Sequence, residues 1–490
     1  MKLENLAVIP YLHKIVGDGS IDIENLNIDS RKKTQNGLFF CISGENHDSH
    51  NYAAQAVENG NTALVVEHII ENLNVPQVLV SNSRGAMAYI AARFHGNPQQ
   101  HMKFVGITGT KGKTTTSYMC KSIFEAAGYK VGLIGTTGSM IGNKRYDSKL
   151  TTPDPIDLYS ILERMHNEYV EIVVMEASAH AIDMHRLDGI EFEVACYTNL
   201  SQDHLDYFKD MDTYFEAKKR LFTSGQVKNA VLNADEDTCN RIVQDITIPH
   251  VFFGIGANAD IYARNIEVKE SGASFNIHLG NVDNMDINMK MTGNFNVYNA
   301  LCASCAAMVM GVDYKYIKQG LENVESVPGR IELLETGTPY KVILDYSHSP
   351  DSLENILKTV REFTKKRVII VFGCGGDRDH TKRPVMGAIA GKLADISIIT
   401  SDNPRNENPM QIIDSIVLGI SKQNSNYKVI EDRREAIKYA LRIAEDGDVI
   451  ILAGKGHETY QERMGVKYPF DEKIIVKELL KELSQGDKND

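Results

Sequence analysis

The stretch Gly106-Ile-Thr-Gly-Thr-Lys-Gly-Lys-Thr-Thr-Thr116 constrains this chain more than any other. It follows an apolar segment with Phe104 and Val105 and leads into SYMCKSIFEAAG, a helix-like run. Strand, Gly/Thr-rich loop and helix in that order place backbone N–H groups and a lysine where they cradle nucleotide phosphates. Gly109 and Gly112 let the backbone approach the phosphates, Lys113 reaches the β- and γ-phosphates, and the Thr114 hydroxyl is set to ligate Mg²⁺. Thr110, Lys111 and Thr115 complete the loop. The common spacing, Gly-x4-Gly-Lys, would put glycine at position 107, where Ile107 stands, so the motif is a variant. In isolation, such a run could be an ordinary turn ahead of a helix.

Its surroundings are those of a multidomain α/β protein. At ~150 residues per domain, 490 residues allow about three. Between about residue 100 and the end, apolar β-branched runs alternate with helical patterns, the α/β signature. The first hundred residues hold shorter strand candidates (GLFFCIS, TALVVE, QVLVSN) and a helix-like HNYAAQAVENG. Boundaries fall at His95-Gly-Asn-Pro98 and near Val327-Pro-Gly-Arg330, giving domains 1–99, 100–329 and 330–490. A net charge of −12 argues against general nucleic-acid or anionic-membrane binding. Seven scattered cysteines suit a reducing compartment, and Cys302 and Cys305 read as a small-residue helix face rather than a metal site. The N-terminus lacks an apolar signal core, and no apolar run nears the ~20 residues of a membrane span. A cytoplasmic protein acting on small molecules is expected.

Several apolar strands end in polar or Gly-rich sequence. IVVME ends at Glu176, VACYTN at Asn199, AVLNAD at Asp235 and VILDYSH at His348. VIIVFGCGGDRD carries Arg378, ISIITSDNPR carries Asp402 and Arg405, and VIILAGKGHE carries Glu458. Open parallel sheets bind ligands at the carboxyl ends of their strands. One such end could be a satisfied turn; seven in order point to two α/β domains presenting polar edges.

These residues also carry a resemblance. IDSR (28–31), TGTKGKTTT, LTTPDP (150–155), EASAHA (176–181), TNLSQDHLDYF (198–208), YFEAKKRLF (214–222) and GNFNVYNAL (293–301) are similar to motifs of the Mur ligase family. VPGRIE (327–332), DYSHSPDSL (345–353), GCGGDRDHTKRP, SDNPR and GKGHE continue the series over essentially the whole chain. The fold implied is an N-terminal UDP-binding α/β domain, a central P-loop-type ATPase domain and a C-terminal Rossmann-like amino-acid domain. The activity implied is ATP-dependent addition of meso-2,6-diaminopimelate to the D-Glu γ-carboxylate of UDP-N-acetylmuramoyl-L-alanyl-D-glutamate, in cytoplasmic peptidoglycan precursor synthesis, by a monomer. A carboxylate is a poor electrophile, so ATP first converts it to an acyl phosphate, which the amine then attacks. The meeting of two anions in the first step requires concentrated positive charge.

The resemblance also implies roles. Lys113 and two Mg²⁺ ions supply that charge, Thr114 and Glu176 ligating one ion and His204 helping to hold the second. Lys218 matches the family lysine that CO₂ carbamoylates, turning a cation into an oxygen ligand for a hard metal. Asn299 and Arg330 contact the nucleotide. Ser30, Thr151, Thr152, Ser178 and Arg186 fall at the UDP-muramyl-dipeptide positions, where hydroxyls and an arginine suit phosphate, sugar and carboxylate. The chain departs from the pattern at Met184, where glutamine is frequent, at Ala179, where a serine hydroxyl is lost, and in GENHDSH, which lacks a second glycine.

Asp402-Asn403-Pro404-Arg405 is the specificity signal. Diaminopimelate carries a second amino-acid head, whose carboxylate Arg405 could fork, with Arg378 assisting, while Glu458 and the Gly454 carbonyl receive its ammonium. Lysine would leave that arginine unpaired, at roughly 3–5 kcal/mol if fully buried. Asn-Pro-Arg alone could equally be a turn. Three alternatives stay open: the same reaction with L-lysine, a paralogous ligase on another nucleotide-linked peptide (folylpolyglutamate synthase shares the ATPase plan), and a catalytically silent nucleotide-binding subunit. The last predicts loss of Lys113, Glu176, His204 or Lys218, and all four are present.

Overall fold

The computed structural model describes the chain except residues 45–46, 149, 257, 280–281, 424–425 and 487–490, so part of the GENHDSH loop lies outside the described residues. Three sheets follow one another along the chain, and a hairpin, Tyr460–Arg463 with Val466–Pro469, stands apart from them. In the first, five-stranded sheet, the three apolar runs become the parallel neighbours Gly37–Phe40, Asn61–Val66 and Gln77–Val80. Leu12–Val16 closes one edge antiparallel to Gln77–Val80. Asn82 caps the following helix, Ser83–Phe94, by accepting from the Gly85 N–H at 2.9 Å.

The middle sheet has eleven strands, with Lys103–Thr108 between Ile172–Glu176 and Phe192–Tyr197, all parallel. Buried on both faces, such strands read as continuous apolar runs instead of alternating. The register pairs Glu176 with Ile107 and Tyr197 with Thr108. The three carboxyl ends therefore share one edge. The third sheet repeats the plan, with Lys341–Asp345, Val449–Ala453, Val368–Phe372 and Ile396–Ile399 parallel and Glu332–Leu334 antiparallel at the rim.

The cores divide differently from the sheets. One apolar cluster runs without interruption from Leu3, Phe40 and Ile90 of the first unit to Phe104, Leu158, Phe192 and Leu232 of the second. The clusters of the third unit draw only on residues from Ile331 onward. Its seam with the middle unit is polar, including Lys341 with Glu270, and Gln202 Nε2 donating to Asp379 Oδ2 at 3.3 Å. At the junction Ile331 has φ +42°, a costly conformation for a β-branched residue, held by its N–H donating to Asp345 Oδ2 at 2.9 Å. All seven cysteines are buried and unbridged, Cys302 and Cys305 lying in the helix Asn294–Val309. Among the described residues no helix is long and apolar enough to cross a membrane.

Candidate active site

The loop after Lys103–Thr108 depends on its glycines. Gly109 has φ +141°, and a Cβ there would lie 1.9 Å from Thr198 Oγ1; Gly112 has φ +85°, and a Cβ there would lie 2.4 Å from Asn299 Oδ1. The neighbouring strand end braces the loop: Asn199 Oδ1 accepts from the Lys111 N–H at 2.8 Å, and Thr198 Oγ1 donates to the Lys111 carbonyl at 2.7 Å. Lys113 opens the helix Lys113–Ala126, and its Nζ donates to the Gly109 and Thr110 carbonyls, both at 2.9 Å. Burial brings its pKa down to about 8; the Glu176 and Asp203 carboxylates oppose that shift, while Lys111 and Arg330 add to it.

Lys218, on the helix Met211–Thr223, is only 1% exposed. Its Nζ donates to the Gly109 carbonyl at 3.0 Å and sits 4.0 Å from the centre of the Tyr214 ring. Burial, then the Lys113 charge, push its pKa far below that of an ordinary lysine. A neutral amine is the form that can attack CO₂.

Glu176 is fully buried, its Oε1 accepting from the Thr136 N–H at 2.8 Å and its Oε2 from the Thr136 hydroxyl at 3.0 Å. Thr114 Oγ1 accepts from Arg330 Nη2 at 3.2 Å, so the junction arginine touches the phosphate loop directly. Asn299 accepts from Thr116 Oγ1 at 3.3 Å. His204 has a left-handed backbone, and burial drops its imidazole pKa to about 3, keeping it neutral and able to offer a lone pair. Among the described residues no three His, Cys, Asp or Glu side chains converge as a metal cage. One carboxylate, one hydroxyl and one imidazole beside a phosphate loop instead fit Mg²⁺, which keeps waters and takes phosphate oxygens along with one or two protein ligands.

A cavity of about 640 Å³ opens here between the middle and last units. Lys113, Thr114, Glu176, His204 and Asn299 line it from one side and Asp345, Tyr346 and His348 from the other, with Arg330 between. Lys218 is not among the residues that line it. The sequence reading missed a bridge across this cavity: Lys111 Nζ donates to Asp203 Oδ2 at 2.9 Å, and His348 Nε2 approaches the same oxygen at 3.9 Å. Asp203 and His348 were visible as parts of DHLD and DYSH, but nothing in their sequence spacing joins them.

Four of the five residues expected to hold the UDP-linked substrate gather beside Glu176. Thr152 Oγ1 donates to the Glu176 carbonyl at 2.7 Å and lies 3.2 Å from Ser178 Oγ, while Thr151 Oγ1 is 3.1 Å from Thr136 Oγ1. Arg186 Nη1 donates to the Thr152 carbonyl at 2.9 Å, and its Nε is 2.8 Å from Asp154. Met184, in place of glutamine, presents its sulfur to Arg186 Nη2 at 3.5 Å. Ser30 is elsewhere, in the first unit, bonded to Gln55 at 2.9 Å and outside the cavity lining.

The Asp402–Arg405 turn lies at the carboxyl edge of the third sheet. Asp402 is buried; burial would raise its pKa, but Lys455 and Arg433 outweigh that and hold it below the carboxylate range. Gly454 has φ +112° and needs no side chain there, since a Cβ would lie 2.5 Å from Asp402 Oδ2. Asn403 Nδ2 donates to Glu458 Oε2 at 2.9 Å, and Lys455 Nζ donates to that oxygen and to Asn403 Oδ1, both at 3.1 Å. The Pro404 carbonyl crowds Gly376, where a Cβ would lie 2.0 Å away. Arg405 Nη1 donates to the Gly376 carbonyl at 2.7 Å, and Nε is 3.3 Å from Glu462 Oε2. Its side chain is 21% exposed, so the penalty reckoned for a fully buried unpaired arginine does not apply in full. Arg378 shares Gly375 with Arg405 at its stem, but its Nη1 donates to the Asp377 carbonyl and it lines a second crevice of about 470 Å³. Lys455 and the fully buried Arg433, whose Nε donates to Glu472 at 2.8 Å, underpin the turn. Arg433 stands in no motif, so the sequence carried no sign of it.

The fold and site together define a nucleotide-binding α/β enzyme whose phosphate loop faces a cavity shared with the third sheet unit. The Mur ligase middle-domain model matches residues 107–307, and the model described as Mur ligase, glutamate ligase domain matches 329–456. A protein of Clostridium acetobutylicum named UDP-N-acetylmuramoyl-L-alanyl-D-glutamate–2,6-diaminopimelate ligase 1 is 45% identical over 99% of this chain and 100% of its own. A solved structure of a UDP-N-acetylmuramoyl-L-alanyl-D-glutamate–2,6-diaminopimelate ligase superposes with a TM-score of 0.69 at 29% identity, covering 99% of both chains. Folylpolyglutamate synthase of Mycobacterium tuberculosis, solved with ADP and AMPPCP, shares the fold over 76% of this chain and 92% of its own, with a TM-score of 0.64 and 16% identity. The chain belongs to the Mur ligase family.

Proposed function

We propose that this protein uses ATP to join meso-2,6-diaminopimelate to the D-Glu γ-carboxylate of UDP-N-acetylmuramoyl-L-alanyl-D-glutamate, as a cytoplasmic monomer making peptidoglycan precursor. The segments 1–99, 100–329 and 330–490 divide the work between UDP end, ATP and amino acid. The observation that carries this reading is the cavity joining Lys113, Glu176 and His204 to Tyr346 and His348 of the domain that bears the Asp402–Arg405 turn. Tyr346 links the two places: its ring is 4.9 Å from the Arg330 guanidinium and 5.2 Å from the His457 ring of GKGHE.

In the first step the D-Glu carboxylate oxygen attacks the γ-phosphorus, forming acyl phosphate and ADP. Lys113 and Arg330 bring positive charge to the meeting anions. Thr114 and Glu176 would hold one Mg²⁺ and His204 would help hold a second, with a carbamate on Lys218 as a further oxygen ligand; bound ions would add positive charge for the phosphates. Thr152, Ser178 and Arg186 orient the substrate beside Glu176. In the second step the amine attacks the acyl carbon and phosphate leaves, forming the amide. Arg405 selects the distal carboxylate, with Asp402, Asn403, Gly454 and Glu458 around it. The polar seam supports inward rotation of the last domain to bring amine and acyl phosphate together.

The test is a ligation assay with ATP, Mg²⁺ and the UDP-linked dipeptide, offering meso-diaminopimelate and L-lysine separately and weighing the products. A product with diaminopimelate alone supports the reading. A lysine product would keep the ligase and remove the specificity assignment, and no product from folded, nucleotide-binding protein would favour a paralogous substrate.

A further inference from the structure

Resting on the reading above, we propose that the amine which attacks the acyl phosphate is seated between His348 Nε2 and Asp203 Oδ2, one acceptor from each side of the cavity. Both are then catalytic residues of the second step.

The two side chains meet across the seam. Asp203 lies just beyond the strand Phe192–Tyr197 of the middle unit, and His348 just beyond Lys341–Asp345 of the third. Both line the cavity that Lys113, Glu176 and Arg330 also line. His348 Nε2 is 3.9 Å from Asp203 Oδ2, too far for a hydrogen bond. His348 Nδ1 lies 2.8 Å from the Tyr346 carbonyl, which can only accept, so Nδ1 carries the proton. Burial, reinforced by Lys111 and opposed by Asp203, drops the imidazole pKa to about 3. The ring is therefore neutral, and its Nε2 presents a lone pair. Asp203 is the opposite case: burial would raise its pKa, but Lys111 heads the charges that outweigh burial and keep the carboxyl ionised. Its Oδ1 accepts from the His204 N–H at 3.1 Å and its Oδ2 from Lys111 Nζ at 2.9 Å, leaving Oδ2 a second acceptor position.

Two acceptors with no hydrogen between them repel until a donor enters. An ammonium has three N–H groups and can serve both. Bonds of about 2.9 Å to one tetrahedral nitrogen set its acceptors about 4.7 Å apart, so the pair needs to open by less than about 1 Å. The amine to be ligated is such a donor. The phosphates of ATP and the carboxylate they activate are acceptors, which the pair turns away. Lys111 already balances Asp203, so the seat has no net negative charge and does not lock the amine in its protonated, unreactive form.

The test separates the two chemical steps. Hydroxylamine, a neutral nucleophile at neutral pH, converts the acyl phosphate to a hydroxamate with release of phosphate and needs no ammonium seat. Wild-type protein and its His348→Phe and His348→Gln variants are given ATP, Mg²⁺ and the UDP-linked dipeptide, with either hydroxylamine or meso-diaminopimelate. Phe keeps a ring and removes the acceptor, while Gln offers an amide oxygen near the Nε2 position. His348→Phe should lower kcat/KM for diaminopimelate by on the order of 10–100-fold, the range for one hydrogen bond to a charged group. Hydroxamate formation and ADP affinity should change less than about threefold, and His348→Gln should recover part of the loss. If hydroxamate and diaminopimelate product fall together, or neither falls, His348 does not seat the amine and the inference is overturned. Should the Phe variant not fold, the wild-type protein decides: methylammonium should compete with diaminopimelate, whereas tetramethylammonium at equal ionic strength, having no N–H, should not. Equal effects of the two cations overturn the seat. Wild-type protein that forms hydroxamate but ligates neither diaminopimelate nor lysine removes the underlying reading and this inference with it, an outcome distinct from a loss confined to the variants.

Discussion

Nucleotide binding should take up a proton from solution above neutral pH, and Lys113 is the reason. Its ammonium is buried among Lys111 and Arg330, with its Nζ turned onto the carbonyls of its own loop, and its pKa stands at about 8 in place of 10.5. A phosphate beside the ammonium favours the charged form and should return the pKa to its ordinary range or above. With the protein's value of about 8, the fraction of neutral Lys113 is roughly 0.1 at pH 7 and roughly 0.75 at pH 8.5. ADP binding should therefore absorb about 0.75 proton at pH 8.5, where the nucleotide phosphates no longer titrate. Titration calorimetry in Mg²⁺-free buffers of differing ionisation enthalpy measures the uptake directly. A slope of zero at pH 8.5 would refute the account of Lys113. The sign extends to stability: the folded pKa lies below the unfolded one, so the unfolded chain holds more protons between about 8 and 10.5, and Lys113 makes the protein alone more stable as pH rises through that window.

Replacing Lys218 by alanine should lower kcat by about 10²–10³-fold, the range for removing one preorganised charge-stabilising group, while ADP affinity by calorimetry stays within a few-fold. Gly112→Ala places a Cβ 2.4 Å from Asn299 Oδ1 at φ +85°; it should cost about 1–3 kcal/mol and abolish nucleotide-induced stabilisation in a thermal melt. Arg433→Met leaves Glu472 without its buried cation and Asp402 with Lys455 alone; about 3–5 kcal/mol should be lost in denaturant unfolding, and an unchanged midpoint would show that the network is neutral.

The phosphate loop was legible in the sequence because its chemistry is local: the glycines, lysine and helix start lie within a dozen residues, and the backbone there obeys nearest-neighbour sterics. The strand-end residues Glu176 and Asn199 were legible for a related reason, since parallel register carries every carboxyl end to the same edge. Side-chain company was not. Lys218 reads as a surface lysine in AKKR; the Tyr214 ring one turn back on the same helix and the distant Gly109 carbonyl enclose it as a buried amine. Arg405 was read as a free fork for a carboxylate, yet it already holds the Gly376 carbonyl and Glu462, partners 29 and 57 positions distant in the chain. Ser30 shares a motif series with Thr152 and Ser178, but its hydroxyl bonds Gln55 within the first unit while theirs bond each other, a difference that motif order does not carry.

The uninterrupted apolar cluster between the first two units, set against the polar seam to the third, divides the chain into pieces of unequal independence. Cutting after residue 99 would strip cover from Phe104, Leu158 and Phe192 and leave two aggregating fragments. Exchange at the Val324–Arg330 junction would sever hydrogen bonds and ion pairs that water can replace. The third unit, proposed to bind the amino acid, is thus the portion that recombination can swap, and a new third residue for the peptide could be acquired by trading it while the phosphate-loop unit stays intact.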